Sequence, residues 1–419
     1  MSRPVRALVI ALALAFAALA GWRIFGMLRA EGLAGSDPER ALQWSAGEPD
    51  ALWALAERRL AEGDRAGAAR SARALLAREP LQGRAFRMLA RIAAEEGRND
   101  EALALYQIAA RRAPRDRPAV LGLTQQLLDR DDTAQALRWI DFYLRTSGDD
   151  SRAKGQVLAW LTAMAQDGRF AGALADRLRQ GPPWRGQLVN LLARNPAAGN
   201  RVLGELSDGG ALKSEEFDAW INGLITVGDW EEADSRWRAR FGAADGLVHN
   251  GDFTRDPRGV GFDWRFPGGA DFSTDFESVA GTGGRALVLR FYDQRARGSL
   301  LEHALKLTPG DHALRLRLRA RALRAEVGLV WQIFCSGNSN PLATGAPISG
   351  SLDWTSREMA FSVPAEGCSG QWLRLSSPVA GAGQPISGVL WVKDVQVESV
   401  GKAPGAVVES SLTSTASSG

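Results

Sequence analysis

The hydrophobic and polar positions divide the chain into three parts with different periods. Residues 1–30 are dominated by one apolar run. In residues 36–246 apolar positions recur at helical spacing, which predicts amphipathic helices that each bury one face. In residues 247–400 the period falls to two, most clearly where Leu and Arg alternate through 313–321. That alternation predicts strands with one buried and one solvated face.

The N-terminal part fits either a membrane anchor or a signal segment. Residues 7–28 are apolar apart from Arg23, and about 20 apolar residues span a bilayer if that arginine snorkels to the interface. A small-x-small site that ends at Ala20 also suits signal peptidase. We expect a single-pass protein of the bacterial inner membrane with most of its chain in the periplasm. Cleavage near Ala20, which would release the chain into the periplasm, is the alternative.

A repeat of 34 residues organises the helical part. Pro80 and Pro114 are 34 residues apart, and so are Gly63 and Gly97. A small residue follows each turn residue by five positions in the pairs Gly63/Ala68, Gly97/Ala102, Asp131/Ala136, Gly168/Ala173 and Gly228/Ala233. Glycine at a C-cap ends one helix, alanine lets the next helix approach closely, and proline closes the unit. The pattern therefore predicts stacked helical hairpins.

This repeat resembles the tetratricopeptide repeat. Its second unit carries the motif most fully, with Phe86, Leu89, Ala90, Gly97, Ala102, Tyr106, Ala109 and Pro114. The resemblance covers 49–148 clearly and 149–243 in outline, and it implies a solenoid whose concave face binds a protein partner. An arginine row offers either a groove for acidic partners or a solvated helix face: Arg84, Arg87, Arg91, Arg111, Arg112 and Arg115.

The last large part has the pattern of an all-β sandwich or jelly roll. Gly- and Pro-rich loops separate short alternating stretches. The predicted strands are 286–291, 313–321, 327–334, 358–363, 371–376 and 388–398. Within 313–321 the arginines share the face opposite the leucines, which suits either solvent or an anionic polymer.

The two ends of this domain resemble the jelly-roll carbohydrate-binding modules of the galactose-binding-like fold. An Asn-Gly-Asp-Phe turn at 250–253 is followed by Trp264, and Asp-Val at 394–395 lies in the closing strand. The resemblance implies contact with a polysaccharide and a possible structural calcium between turn and strand. The candidate calcium ligands are Asn250, Asp252 and Asp394, for which turn and capping hydrogen bonds are the alternative.

Sugar recognition requires flat apolar rings and hydrogen-bonding side chains. The β domain contains five tryptophans, more than one core needs. We expect Trp331 and Trp372, which lie in apolar strand runs, to be core residues. Trp354 falls in a predicted loop, and 334–340 forms a polar loop. The candidate glycan-binding residues are Trp354, Asn338, Asn340 and Trp264.

Cys335 and Cys368 are the two cysteines of the chain, and both lie in the β domain. In an oxidising compartment two exported cysteines usually pair. We therefore expect a disulfide, with two buried free thiols as the alternative.

Charge and motifs argue against other functions. The 51 basic and 48 acidic residues give a net charge of only +3, which does not indicate nucleic-acid binding. The sequence contains no zinc-protease, P-loop or nucleophile-elbow motif, so no enzymatic activity is predicted. Asp271, Asp275 and Glu277 form an acidic cluster, which leaves a glycosidase-like pair of carboxylates as an alternative. Residues 401–419, rich in Ser, Thr and Gly, are expected to be disordered.

These predictions combine into one functional hypothesis. We expect a periplasmic scaffold or adaptor of the bacterial envelope, associated with the synthesis and export of exopolysaccharide or another glycan. Its repeats would bind a protein partner and its jelly roll would contact glycan. The alternatives are a pure protein-assembly scaffold with a structural jelly roll, and a divergent glycan-active enzyme.

Overall fold

The computed structural model describes residues 3–146, 151–242, 246–267, 272–279, 284–379 and 383–400. Within these ranges fourteen helices precede nine strands. This confirms the predicted class, an all-α array followed by an all-β sandwich. The predicted tail at 401–419 and Asp271 lie outside the described residues.

The helices differ in length, and α1 is by far the longest. They are α1 (Arg3–Leu33), α2 (Pro38–Trp44), α3 (Pro49–Ala61), α4 (Arg65–Arg78), α5 (Gly83–Glu95), α6 (Asn99–Arg112), α7 (Arg117–Leu128), α8 (Thr133–Thr146), α9 (Ser151–Met164), α10 (Gly168–Arg179), α11 (Arg185–Arg194), α12 (Pro196–Asp208), α13 (Ser214–Val227) and α14 (Trp230–Phe241).

The strands begin 30 residues or so after the last helix. They are β1 (Phe272–Ser278), β2 (Arg285–Ala296), β3 (Gly298–Leu305), β4 (Gly310–Arg324), β5 (Val330–Cys335), β6 (Pro341–Thr344), β7 (Gly350–Val363), β8 (Gln371–Ser377) and β9 (Gln384–Ser399). The change from helix to strand thus occurs near the predicted position.

Helix α1 carries the apolar N-terminal run. In the described part of the chain, one helical stretch, Ile10–Leu33, is long and apolar enough to cross a membrane. Its large apolar side chains are exposed over most of that length. Only its C-terminal end packs on α2, where the rings of Trp22 and Trp44 lie 6.0 Å apart. The helix is therefore compatible with a membrane anchor or a signal sequence.

The next helices form hairpins with the predicted period: α3 with α4, α5 with α6, and α7 with α8. The turn residues of these three hairpins have left-handed backbones, with φ of 86° at Gly63, 73° at Gly97 and 59° at Asp131. The alanines that follow by five positions, Ala68 and Ala102 among them, are fully buried. Left-handed C-caps and close helix contacts thus generate the repeat.

One predicted pair, Gly168 and Ala173, has a different role. Gly168 does not end a helix; it is the first residue of α10, and the carboxylate of Asp167 caps that helix by accepting from the N–H groups of Arg169 and Phe170. Ala173 is only partly buried. The spacing of five recurs here without a left-handed glycine in the turn between α9 and α10.

Much of the predicted arginine row is neutralised within the helical array. Arg84 pairs with Asp50 at 2.5 Å, and Arg87 pairs with Asp116 at 2.8 Å. Arg91 bonds to Glu95, and Arg115 donates to a backbone carbonyl. These contacts favour the solvated-face alternative over a groove for acidic partners.

The strands form two antiparallel sheets. The five-stranded sheet has the order β1-β2-β9-β4-β7, and the four-stranded sheet has the order β3-β8-β5-β6. The inner faces of both sheets supply one hydrophobic core, which includes Leu314, Leu318, Leu373, Leu375, Leu390 and Val392. On β4 the leucines of 313–321 are buried and the arginines point outward, as predicted.

Strand β7 is longer than predicted and changes the setting of Trp354. It begins at Gly350 rather than near 358, so Trp354 lies in a strand and not in a loop. Strands β1, β3 and β6 were not predicted. They are edge strands of their sheets or short, so their patterns carry weak alternation.

The chain folds into two compact units. One contains residues 1–191 and 197–211; the other contains 192–196 and 212–419. The last helical hairpin, α13 and α14, therefore belongs by its packing to the unit that contains the sandwich.

Candidate functional site

Helix α14 packs against the outer face of the four-stranded sheet at β8. Trp230 of α14 is 1% exposed, and its ring packs edge-on against Trp372 of β8 with centroids 5.6 Å apart. Nearby, Lys306 and Glu231 form an ion pair at 3.1 Å. Trp372 therefore contacts a helix on the outer face of its sheet and does not lie between the sheets. Trp331, 4% exposed, lies in the core as expected.

The outer face of the five-stranded sheet is accessible, and two tryptophans lie on it. Trp391 of β9 alternates with the buried Leu390 and Val392, and Trp354 lies on β7. Both rings are partly exposed. Strand β4 runs between these two strands and directs Arg317, Arg319 and Arg321 to the same side. We call this surface, defined by Trp354, Trp391, Arg317, Arg319 and Arg321, the open face.

Cationic side chains stand beside both rings of the open face. The guanidinium carbon of Arg319 lies 5.4 Å from the ring centroid of Trp391, and that of Arg317 lies 5.9 Å from Trp354. Guanidinium groups at such distances are attracted to the ring quadrupole. The arrangement alternates aromatic and cationic groups across three neighbouring strands.

Further contacts hold the two tryptophans in place. The indole N–H of Trp391 donates to Glu277 of β1 at 2.9 Å, and Glu277 also pairs with Arg290. Lys393 is 2% exposed; its Nζ lies 5.8 Å from the Trp354 ring and 3.3 Å from a carboxylate oxygen of Asp394. The rings are thus supported by neighbouring strands rather than free to rotate.

Trp264 is not available to a glycan, which corrects the prediction. Its side chain is fully buried, its indole N–H donates to the carbonyl of Asn250 at 2.9 Å, and its ring lies 4.6 Å from His303. The segment before β1 inserts this ring between the sheets, so neither of its faces reaches solvent.

Asn338 and Asn340 are exposed but lie away from the open face. They belong to the turn between β5 and β6, in the four-stranded sheet. The side-chain oxygen of Asn338 accepts the N–H of Asn340 at 2.9 Å. The structure therefore does not bring them together with Trp354.

The candidate calcium ligands do come together around one depression of about 490 Å³, which Arg255 also lines. The opening turn meets the closing strand there, since Val395 donates to the carbonyl of Gly251 at 2.9 Å. Several of their polar atoms already have partners. Asn250 bonds to both backbone polar groups of Arg255. Asp252 accepts two bonds from Thr254.

This donor set does not fit a calcium ion. Calcium takes about 6–8 oxygen ligands, whereas Arg255 adds a positive charge and Lys393 lies beside Asp394. In the described ranges no group of three or more His, Cys, Asp or Glu residues could hold a metal. The contacts are instead those of turn and capping hydrogen bonds.

Cys335 and Cys368 form a disulfide, with Cα atoms 5.0 Å apart. The bridge ties the end of β5 to the loop before β8. The buried side chain of Gln371 secures the same corner, because its Nε2 donates to the carbonyl of Cys368 at 3.1 Å and its Oε1 accepts from Leu307.

The acidic cluster does not form a free carboxylate pair in the described residues. Asp275 and Glu277 lie on one face of β1, but Glu277 is engaged by Trp391 and Arg290. The side chain of Asp275 accepts the N–H of Phe276. In the described part of the cluster, Asp275 and Glu277 are therefore not placed as an acid and a base across a common cleft.

A buried histidine makes the sandwich sensitive to acid. His303 is fully enclosed, and burial lowers its pKa to about 4, because a protonated ring would lose its hydration. Burial also lowers the pKa of the adjacent His249, whose carbonyl oxygen lies 3.0 Å from Nε2 of His303. The carboxylate of Asp263 raises the pKa of both histidines and so partly opposes the effect of burial.

We expect the unfolding free energy to fall by about 2 kcal/mol between pH 8 and pH 5. Below its ordinary pKa of 6.5 the histidine binds a proton in the unfolded chain but not in the folded one. The loss therefore begins as pH drops through 6.5 and is complete below about 4. Urea titrations at several pH values measure it. His303→Gln should flatten the profile; a variant curve parallel to wild type would contradict the assignment.

Comparisons with known proteins find likenesses for each half of the chain. No protein-family model matches the sequence, and no curated protein sequence does. A family 4 carbohydrate-binding module is 12% identical to this chain. The match covers 36% of this chain and 97% of the module, with a TM-score of 0.28. The module TmCBM61, solved with β-1,4-galactotriose, is 14% identical to this chain. The match covers 38% of this chain and 100% of the module, with a TM-score of 0.26. The tetratricopeptide repeat protein YrrB, described as having an unusual peptide-binding site, is 12% identical to this chain. The match covers 48% of this chain and 89% of YrrB, with a TM-score of 0.29.

Fold and site together define a class. The chain is a helical-hairpin repeat protein with an N-terminal apolar helix and an antiparallel β-sandwich, and the sandwich presents aromatic and cationic side chains on one accessible sheet face.

Proposed function

We propose that this protein is an envelope adaptor whose sandwich binds a polysaccharide chain along the open face while its helical array binds a protein partner. One observation carries the proposal. Trp354 and Trp391 are partly exposed on the accessible face of one sheet, whereas the tryptophan on the outer face of the other sheet is packed against a helix.

The open face suits an extended glycan. Trp391 and Trp354 lie on strands separated by β4, so they are roughly 10 Å apart across the sheet. An oligosaccharide can reach both rings, while a single sugar ring cannot. The aromatic rings offer stacking surfaces for sugar C–H groups, and the exposed Ser356 and the guanidinium groups offer hydrogen bonds.

The helical array has its own surface for a partner. Trp139 and Phe142 of α8, with Arg111 of α6, line a depression of about 550 Å³. Phe142 is 41% exposed. Exposed aromatic groups of this kind are enriched where proteins bind one another. We assign the array to protein binding on this basis.

The envelope role rests on two features of the chain. The apolar helix α1 is compatible with anchoring or export, and disulfides persist in oxidising compartments such as the periplasm. A glycan-binding sandwich on such a chain fits a part in the synthesis or export of an exopolysaccharide.

Glycan binding is tested with the full chain in neutral detergent by affinity electrophoresis against a panel of soluble bacterial polysaccharides. We expect retardation by at least one polymer and about tenfold weaker retardation for Trp391→Ala and Trp354→Ala, since each change removes a stacking surface. Trp139→Ala in the helical array is the matched control. Failure of every polymer to retard the wild type would refute the proposal, as would unchanged retardation of both β-domain variants that fold normally by circular dichroism.

A further inference from the structure

We infer that the polysaccharide taken by the open face is polyanionic and carries carboxylates, as a uronic acid polymer does. This inference rests on the proposed function and specifies its ligand class. It is carried by three guanidinium groups that the fold places among the tryptophans and leaves without acidic partners.

The arginines of β4 divide into two groups. Arg315 is neutralised by Glu358 at 3.1 Å and by Glu398 at 2.5 Å. In the described residues Arg317, Arg319 and Arg321 make no ion pair, although they follow on the same strand face. Alternate residues of a strand repeat at roughly 7 Å. The result is a line of three positive charges along β4 that begins beside the two tryptophan rings.

Three outward arginines elsewhere on the sandwich have acidic partners. Arg290 pairs with Glu277, Arg285 with Asp256 at 2.7 Å, and Arg374 with Glu302 at 2.9 Å. Among the described residues Arg297, Arg324 and Arg357 are also exposed and make no ion pair. What distinguishes Arg317, Arg319 and Arg321 is that they follow one another on one strand face beside the tryptophans.

The acidic side chains of the same sheet do not cancel the charge. Glu277 and Glu358 are already paired. Asp275 lies on the edge strand β1, with β2 and β9 between it and β4. Asp353 adjoins Trp354 at the β7 bulge and offsets at most one of the three charges. An excess positive charge remains beside the rings.

The pairing of ring and cation suits a sugar acid in particular. Each uronic acid residue has a ring that can stack on indole and a carboxylate that can accept two parallel bonds from one guanidinium. Contact with the tryptophan rings limits the freedom of Arg317 and Arg319, so less entropy is lost when the carboxylate binds. A neutral glycan would leave these cations without partners.

The test compares two forms of one polymer. Polygalacturonate and its fully methyl-esterified form share a backbone and differ in charge. With the full chain in neutral detergent, we expect isothermal titration to show at least tenfold tighter binding of the acid form at low salt. That preference should shrink at 0.3 M NaCl, because salt screens exposed charges. Arg319→Gln should weaken binding of the acid form about fivefold and binding of the ester by clearly less, since only the acid form loses a charge-assisted contact.

Arg357→Gln is the matched control. Arg357 lies on β7 opposite Leu316, so its side chain points away from the open face, and it carries the same charge. An equal loss for Arg357→Gln and Arg319→Gln would mean that overall charge, not the open face, governs binding, and would overturn the inference. Competition by polyphosphate, charge for charge, would show a general anion site and overturn the requirement for a sugar acid.

The remaining outcomes separate the two proposals. If acid and ester forms bind equally and without salt dependence, the inference fails while glycan binding stands. If neither form binds but a neutral polymer of the panel does, the inference likewise fails while glycan binding stands. If no polymer binds at all, the proposed function fails, and the inference fails with it.

Discussion

Replacing Cys335 and Cys368 together by serine is expected to lower the unfolding free energy of the sandwich by about 3–4 kcal/mol. The bridge joins residues separated by 33 positions, and closing a loop of that length restricts the unfolded chain by about this amount. Urea unfolding followed by tryptophan fluorescence measures the change.

The structure adds a local consequence to the entropic one. Cys368 lies in the loop that carries Gly370, and the side chain of Gln371 bonds to the carbonyl of Cys368. Without the bridge we expect this corner to exchange its amide hydrogens faster than the rest of β8. Dithiothreitol should destabilise the wild type and leave the double variant unchanged. An unfolding free energy equal to that of wild type would contradict the prediction.

Gly370→Ala is expected to cost about 3 kcal/mol, the second large effect. A Cβ atom at this position would lie 1.8 Å from Cδ2 of Trp230. Because Trp230 is enclosed between the loop and Trp372, either α14 or the loop must move, and such overpacking costs roughly 1–3 kcal/mol or somewhat more. Urea unfolding gives the cost, and a shift of tryptophan emission reports the displaced ring.

Gly345→Ala provides the control for this experiment. Its Cβ would meet ordinary contacts of 3.5 Å, to Met359 and to the carbonyl of Trp331. A double-mutant cycle with Trp230→Ala sharpens the result, since Gly370→Ala should cost little once the ring is gone. If Gly370→Ala unfolds like wild type, α14 does not pack on the loop as described.

The candidate site shows what residue type can and cannot predict. The number of tryptophans in the β domain indicated that some would be exposed, and Trp354, named among the candidates, is partly exposed. Trp264 follows a turn and looked accessible, yet it inserts between the sheets. Trp391 lies in a strand of apolar character and points outward, because it alternates with Leu390 and Val392. Alternation within the strand was the signal that would have identified it.

The candidate calcium ligands show a related limit of sequence motifs. The opening turn and closing strand do meet, as the resemblance implied. The motif does not encode the surroundings of these ligands. Arg255 lines the same depression, Lys393 pairs with Asp394, and Thr254 donates a hydrogen bond to the carboxylate of Asp252. The charges around a ligand set come from residues outside the motif.

The sequence by itself determined the helical hairpins, the change to strands near residue 247 and the alternation of β4, because each is written in the spacing of neighbouring residues and in the left-handed turns that glycine permits. Tertiary structure decided which tryptophans are accessible. Strand order brings β9, β4 and β7 side by side across long stretches of chain, and α14 packs on Trp372 at the outer face of the four-stranded sheet. Both depend on contacts between distant residues, whose free energy is set by packing rather than by local period.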